Sequence, residues 1–134
     1  MSGNRRKSRE LALQVLFQSE FVEDAKYGEQ LRYFQDSFAI EKDVLDYATQ
    51  LLSGIQEKHE EVDNKISALS PNWTLARMAK VDLSILRIAI FEILHMTDVP
   101  AKAAINEAVE LAKKYGNTES AGFINGVLDA AMKE

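Results

Sequence analysis

The sequence has no cysteine and only two histidines, two prolines and six glycines among its 134 residues. The missing cysteines exclude a disulfide framework, thiolate metal sites and a cysteine nucleophile. The glycines are scattered, so no glycine-rich loop can cradle a phosphate with backbone amides. The two histidines, His59 and His95, lie far apart and lack the spacing of a zinc motif. We therefore predict a protein with no catalytic residues, no metal and no cofactor.

Long hydrophobic runs are also missing. The most apolar stretch, residues 81–96, has eleven apolar residues among sixteen. Sixteen residues are too few to cross ~30 Å of hydrocarbon, and Asp82, Arg87 and Glu92 interrupt the run. No apolar segment of a secretory signal follows the basic N-terminus. At 3.6 residues per turn the stretch has no broad polar face, which predicts a central helix buried on most sides. The missing secretory signal and the missing cysteines fit a cytoplasmic protein.

Apolar residues recur at intervals of three and four through most of the remaining chain, and no β-rich segment interrupts them. Further helices are predicted near residues 10–22, 27–38, 43–69, 101–115 and 118–131, with a short connector at 73–80. The helix at 43–69 is one helix or two nearly collinear ones, with Gly54 as the weakest point. His59 falls on its apolar stripe and is expected to pack there. We predict one all-α domain, residues 1–134, of six or seven helices in two small bundles around the central helix.

The charge distribution is uneven. The net charge is −5, yet four positive side chains fall within five positions: Arg5, Arg6, Lys7 and Arg9. A basic arm at residues 1–9 on an acidic body indicates either a site for a polyanion or a solubilising tail. If the cluster is helical, Arg5 and Arg9 share one face.

The last predicted helix carries Phe123 at the edge of its apolar stripe, with Glu119 one turn earlier. Such a position is compatible with peripheral packing or with a platform on which an unpaired base stacks. Gly122 and Gly126 each cost about 1 kcal/mol relative to alanine in a helix. They favour the close approach of another helix or of a nucleic-acid backbone.

Three stretches of the sequence carry a resemblance. They are RRKSRELALQVLF at residues 5–17, VDLSILRIAIFE at 81–92, and VPAKAAINEAVELAKKYG followed by FINGVLD between 99 and 129. Together they resemble the NusB family of bacterial transcription antitermination factors along the whole chain. The resemblance implies an all-helical fold that binds the single-stranded boxA element of nascent RNA together with NusE, a small-subunit ribosomal protein. It also implies antitermination in ribosomal RNA operons with NusA, NusG and RNA polymerase.

The resemblance also implies roles for particular residues. Contacts to RNA fall on Arg5, Arg6, Lys7, Arg9, Glu119 and Phe123. Two residues, Phe17 and Asp82, match positions that face NusE. Phe17 replaces a tyrosine common in the family, so only apolar contact remains, and Glu119 stands where aspartate is familiar. Ala121 and Gly122 replace bulkier polar or basic residues, which leaves less positive charge beside Phe123.

Two other functions stay open. A NusB-like domain also serves some RNA cytosine methyltransferases as an RNA-binding accessory; because the sequence ends at Glu134, we expect no methyltransferase domain here. A helical adaptor that binds only protein would use the basic arm as a tail. The apolar side chains of the first helix also suit a homodimer.

Overall fold

The chain folds entirely into helices, as predicted. A computed structural model describes the backbone of residues 2–133 and the side chains of residues 4–133; Met1 and Glu134, the ends of the predicted domain, lie outside the described residues. The described part contains no strand. Its helices are α1 (Ser2–Ser19), α2 (Tyr27–Ser37), α3 (Lys42–Glu57), α4 (His59–Leu69), α5 (Lys80–His95), α6 (Ala101–Tyr115) and α7 (Ser120–Met132), with a 3-10 turn at Leu75–Arg77.

Helix α5 is the centre of the fold. It contacts α1 and α3 on one side and α4, α6 and α7 on the other. Helices α1, α2 and α3 pack together as one bundle, and α4, α6 and α7 form the second around the same central helix. Ile85, Leu86 and Ile90 of α5 are fully buried. The predicted buried central helix is confirmed.

The long third helix is interrupted at Lys58, whose φ of −102° and ψ of 24° end α3. The prediction of a weak point at Gly54 was wrong. Gly54 lies inside α3, and a Cβ atom there would meet the Phe91 ring at 2.0 Å. This glycine therefore accommodates a buried aromatic side chain and does not end the helix.

His59 does not pack in the core. It is the first residue of α4, its side chain is exposed, and it lies 3.4 Å from the carboxylate of Asp63. The buried face of α4 begins only at Val62, because the restart of the helix after Lys58 does not continue the apolar stripe through His59. The expectation that His59 packs in the core was wrong.

Two of the charged residues that interrupt the apolar run of α5, Arg87 and Glu92, are buried and ion-paired. Arg87 donates two hydrogen bonds to Asp63 of α4, at 2.9 and 3.0 Å, and one to Glu20 at 3.1 Å. Charged side chains are rarely buried without such partners. The ion pairs therefore tie α4 and the segment after α1 to the central helix.

The described residues contain neither a candidate membrane span nor a candidate metal cluster. Across residues 2–133, no helix is both long and apolar enough to span a bilayer. In the same part of the chain, no group of three or more histidine, aspartate or glutamate side chains is placed to hold a metal ion.

Candidate nucleic-acid interface

The basic arm is helical. Helix α1 includes the whole cluster of cations, so Arg5 and Arg9 lie four residues apart on one face. Three of the four cations are ion-paired with carboxylates of α5, of α6 or of the loop between these helices. Helix α1 therefore docks its basic end on α5, α6 and the loop between them.

Two of these ion pairs lie at the surface. The guanidinium of Arg5 donates to Asp98 at 2.6 Å, and that of Arg6 donates to Glu107 at 3.0 and 2.6 Å. The hydrogen bond from Arg5 lowers the pKa of Asp98, and the bond from Arg6 lowers the pKa of Glu107. Both carboxylates are therefore ionised at neutral pH, and a phosphate that binds Arg5 or Arg6 has to compete with them.

Arg9 lies in the protein interior. Its side chain is 6% exposed, and its Nε donates to both carboxylate oxygens of Glu92 at 3.1 and 2.9 Å. Glu92 is 1% exposed and also accepts from the hydroxyl of Tyr47, while Glu107 lies 3.4 Å from Arg9. Burial raises the pKa of Glu92, and the charge of Arg9 opposes that shift. This geometry makes Arg9 part of the helix packing and leaves no open face for a phosphate.

The remaining cations of α1 are accessible. Lys7 is exposed, and no ion pair with it is found among the described residues. Arg6 keeps 58% of its side chain exposed, and the guanidinium of Arg5 lies 4.4 Å from the centre of the Tyr47 ring. The structure thus leaves three cations of α1, Arg5, Arg6 and Lys7, at least partly accessible to a ligand.

The predicted RNA-contact residues of the C-terminal region lie together. Glu119 directly precedes α7, and its carbonyl accepts the backbone N–H of Phe123 at 3.1 Å. Both residues line a surface pocket that Asp82, from the first turn of α5, also lines. Asp82 is 7% exposed, whereas Phe17, the other predicted contact to NusE, is not part of this pocket.

Trp73 was not predicted as a site residue, because its position in the sequence suggested a short connector. Half of this side chain is exposed, and its ring lies 6.0 Å from the Phe123 ring in an edge-on arrangement. Arg77, from the 3-10 turn, lines the same pocket. One feature of the sequence could have indicated this residue. Trp73 is the chain's one tryptophan, and it lies in a polar connector where it does not continue the apolar face of any helix.

An apolar surface lies at the end of α1. Phe17 is partly exposed, and its ring meets Phe21 edge-on at 5.1 Å, while Phe21 and Val22 are exposed. Clusters of large apolar side chains at a surface are typical of contacts with another protein. This cluster contains the predicted partner-contact residue Phe17.

The glycines of α7 have no packing partner within the chain. A Cβ atom at Gly122 or at Gly126 would meet nothing within 4 Å. The close approach of another helix, one of the two expectations for these glycines, is therefore wrong for the described chain. The other expectation, the approach of a nucleic-acid backbone, stays a prediction, and the open space on this side of α7 is compatible with it.

The chain is similar in sequence to known proteins. Over residues 6–133 the chain matches the NusB family. Proteins named transcription antitermination protein NusB are 45% identical to it in Anaeromyxobacter dehalogenans, over 96% of this chain and 90% of the relative, and in Bdellovibrio bacteriovorus, over 96% and 95%.

Solved structures extend the likeness to the fold. NusB of T. maritima has a TM-score of 0.90 at 36% identity, covering 97% of this chain and 91% of that one. NusB in a crystal structure with NusE and dsRNA has a TM-score of 0.88 at 25% identity, covering 99% and 98%. The chain therefore belongs to the NusB family, and its relatives in Anaeromyxobacter dehalogenans and Bdellovibrio bacteriovorus are named transcription antitermination proteins.

Proposed function

We propose that this chain binds the single-stranded boxA element of nascent RNA together with NusE and so supports antitermination in ribosomal RNA operons. NusA, NusG and RNA polymerase would be the further members of that complex, and the setting would be the bacterial cytoplasm. The observation that carries the proposal is the likeness, over nearly the full length, to a NusB whose structure holds NusE and dsRNA. The role is one of binding, without catalysis by this chain.

Phosphates of the RNA bind the accessible cations of α1. Arg5, Arg6 and Lys7 supply these contacts, while Arg9 holds α1 against α5 through Glu92. Each phosphate contact to a single strand lowers the logarithm of affinity by about 0.7 per log unit of salt. Because Asp98 and Glu107 already pair with Arg5 and Arg6, affinity for RNA by this chain alone is weak.

Unpaired bases stack on Phe123. Single-stranded RNA is usually read by aromatic side chains together with polar groups that reach base edges. Phe123 is half-buried, which holds its ring in place, and Glu119 beside it can accept hydrogen bonds from base amino groups.

Replacing Phe123 with alanine is expected to weaken RNA binding about tenfold, since stacking of one base contributes about 1–3 kcal/mol. Fluorescence anisotropy with a labelled boxA strand measures the change. Tyr33→Ala is the matched control, because Tyr33 is an exposed aromatic residue on α2, outside the proposed interface. Equal losses in both variants would contradict the stacking role.

NusE binds the apolar surface formed by Phe17, Phe21 and Val22 at the end of α1. It raises RNA affinity by adding its own surface to a composite site, without a change of fold in this chain. A homodimer would cover the same apolar side chains and would therefore compete with NusE.

The test is RNA binding at two salt concentrations, with boxA and scrambled strands, in the presence and absence of NusE. We expect a preference for boxA that increases when NusE is added, and an affinity that falls with salt. Equal and salt-labile binding of both strands would contradict specific recognition, and an unchanged affinity on addition of NusE would contradict the composite site.

A protein-only adaptor is the second candidate, favoured by the exposed apolar cluster at Phe17. Charge reversal at Arg5, Arg6 and Lys7 distinguishes it, because an adaptor would keep NusE binding and show no loss of RNA binding. Arg9 is left out of this variant, since its reversal would place two negative charges together in the interior.

A further inference from the structure

One of the accessible cations of α1 rests on an aromatic ring of another helix. The guanidinium carbon of Arg5 lies 4.4 Å from the centre of the Tyr47 ring, within the ~6 Å over which a cation and a ring attract each other. Tyr47 belongs to α3. Of the three accessible cations of α1, Arg5 alone has such a contact among the described residues. This cation is therefore held differently from Arg6 and Lys7.

A buried hydrogen bond fixes α1 against α3 next to this contact. The hydroxyl of Ser8 donates to the backbone carbonyl of Val44 at 2.7 Å, and Ser8 is fully buried. Arg5 lies about one turn before Ser8 on α1. Tyr47 lies about one turn after Val44 on α3. The position of the guanidinium over the ring therefore follows from the packing of the two helices.

The Tyr47 ring is itself fixed in the interior. Tyr47 is 6% exposed, and its hydroxyl donates a hydrogen bond to the buried carboxylate of Glu92. Burial raises the pKa of Tyr47, and the hydrogen bond to Glu92 acts in the same direction. The hydroxyl therefore stays protonated and remains a donor. The ring presents a rigid surface to Arg5, because its other end is anchored in the core.

The ring leaves hydrogen-bond donors of Arg5 available. An aromatic ring contacts the face of a guanidinium, whereas the five N–H groups point outward from its edges. One of these groups, on Nη2, donates to Asp98, and no hydrogen bond from Nε or Nη1 is found among the described residues. The side chain of Arg5 keeps 36% of its surface exposed. Arg5 can therefore donate to a phosphate while Tyr47 and Asp98 hold it.

Holding the side chain in advance favours the binding of a phosphate. A mobile arginine loses rotamer freedom when it binds, and this loss weakens the complex. An arginine whose planar group is already fixed on a ring has lost that freedom when the chain folds. The contact with Tyr47 therefore stabilises the bound state relative to the free state.

We propose that Tyr47 is a positioning residue for RNA binding, whose ring holds the guanidinium of Arg5 in the orientation that binds a phosphate. The proposal rests on the proposed RNA-binding function and adds to it a buried residue of α3 that acts only through Arg5. Removal of the ring should therefore weaken RNA binding, although every cation of the chain stays in place.

Two substitutions separate the ring from the hydroxyl. Tyr47→Phe and Tyr47→Leu both remove the donor to Glu92, and only Tyr47→Leu also removes the ring. We expect the Tyr47→Leu variant of the full chain to bind a single-stranded RNA about fivefold more weakly than the Tyr47→Phe variant, the usual effect of having to immobilise one long side chain. Fluorescence anisotropy at constant salt measures this ratio.

The same two substitutions in an Arg5→Ala background are the control. Without the guanidinium, the Tyr47→Phe and Tyr47→Leu chains should bind RNA equally, since a double-mutant cycle isolates the coupling between Tyr47 and Arg5. Arg5→Ala by itself should lower the salt slope of RNA binding by about 0.7, the effect of losing one phosphate contact. A fivefold ratio that persists without Arg5 would assign the effect of Tyr47 to general packing and overturn the proposal.

NMR relaxation of the free wild-type chain tests the same idea without any substitution. The side-chain Nε–H group of Arg5 should have an order parameter close to ~0.85, the value typical of rigid backbone. Arg32, an exposed arginine of α2, supplies the comparison and should fall below about 0.6. An Arg5 side chain as mobile as that of Arg32 would contradict the positioning role.

Failure of this inference and failure of the proposed function give different results. Suppose that Arg5→Ala lowers RNA affinity and its salt slope, while the Tyr47→Phe and Tyr47→Leu variants bind RNA equally. The positioning role would then be wrong, and RNA binding by α1 would stand. A wild-type chain that binds no RNA, with or without NusE, would overturn the proposed function and this inference together.

Discussion

Replacing Glu92 with alanine is expected to lower the free energy of unfolding by about 3–5 kcal/mol, the usual effect of removing one partner of a buried ion pair. The change leaves the buried guanidinium of Arg9 with only Glu107, at 3.4 Å, and removes the acceptor of the Tyr47 hydroxyl. Urea unfolding followed by far-ultraviolet circular dichroism measures the loss.

An exposed ion pair supplies the control for this prediction. Asp46→Ala removes the partner of Lys42, whose side chain is 89% exposed, and should leave the free energy of unfolding nearly unchanged, because exposed ion pairs contribute little to stability. If Glu92→Ala and Asp46→Ala lowered the free energy of unfolding by similar amounts, Glu92 would be hydrated, and its buried pair with Arg9 would contribute no more than an exposed ion pair.

The double variant Arg9→Met/Glu92→Leu separates folding from RNA binding. Apolar residues of similar volume often replace a buried ion pair without loss of stability, so the variant should recover most of what Glu92→Ala loses. Its RNA affinity should keep the wild-type salt slope, whereas removal of a phosphate contact would lower that slope by about 0.7. A lowered slope would show that Arg9 contacts RNA directly.

Gly54→Ala is expected to destabilise the protein by about 2 kcal/mol, although alanine is the better helix former. The gain in helix propensity is about 1 kcal/mol, and overpacking of a core costs about 1–3 kcal/mol. We expect the upper end of that cost, because the new Cβ would lie 2.0 Å from Cζ of Phe91, a buried ring that also packs against His95. The same urea titration measures it.

Gly122→Ala, at a glycine of α7, is the matched control for Gly54→Ala. Because the added Cβ would meet no side chain or backbone of another element within 4 Å among the described residues, the variant should gain up to about 1 kcal/mol in stability. The two alanine substitutions are therefore expected to change the free energy of unfolding in opposite directions. A stabilised Gly54→Ala variant would show that the Phe91 ring moves aside easily.

Much of the fold could be predicted because helix periodicity is local. The central helix at residues 81–96 was recognised from apolar residues without a polar face, and α5 begins and ends within one residue of it. The break at Lys58 could not be predicted, because a lysine in an acidic run carries no helix-stop signal. In the sequence, Gly54 looked like a position where the helix could break. The Phe91 ring that occupies the space beside it lies on another helix, so the sequence did not show why a glycine is needed there.

The candidate site was predictable in part. Residue types and the family resemblance pointed to the cations of α1 and to Glu119 and Phe123. Neither could show that Arg9 is withdrawn into the interior, since its partner Glu92 is 83 positions away in sequence. Trp73 was missed for the same reason, because its neighbour Phe123 belongs to a different helix.

The sequence by itself determined an all-helical chain with a buried central helix, a basic first helix and no thiol chemistry. These properties depend on composition and on the recurrence of apolar residues every three or four positions, a pattern that is contained within a single helix. The tertiary structure decided which cations remain accessible, which carboxylates pair with the others, and that Trp73 and Phe123 line one pocket with Asp82, whose Oδ1 has no hydrogen-bond partner among the described residues. Burial and ion pairing are properties of packed helices, and only packing brings distant residues within the few ångströms over which these interactions act.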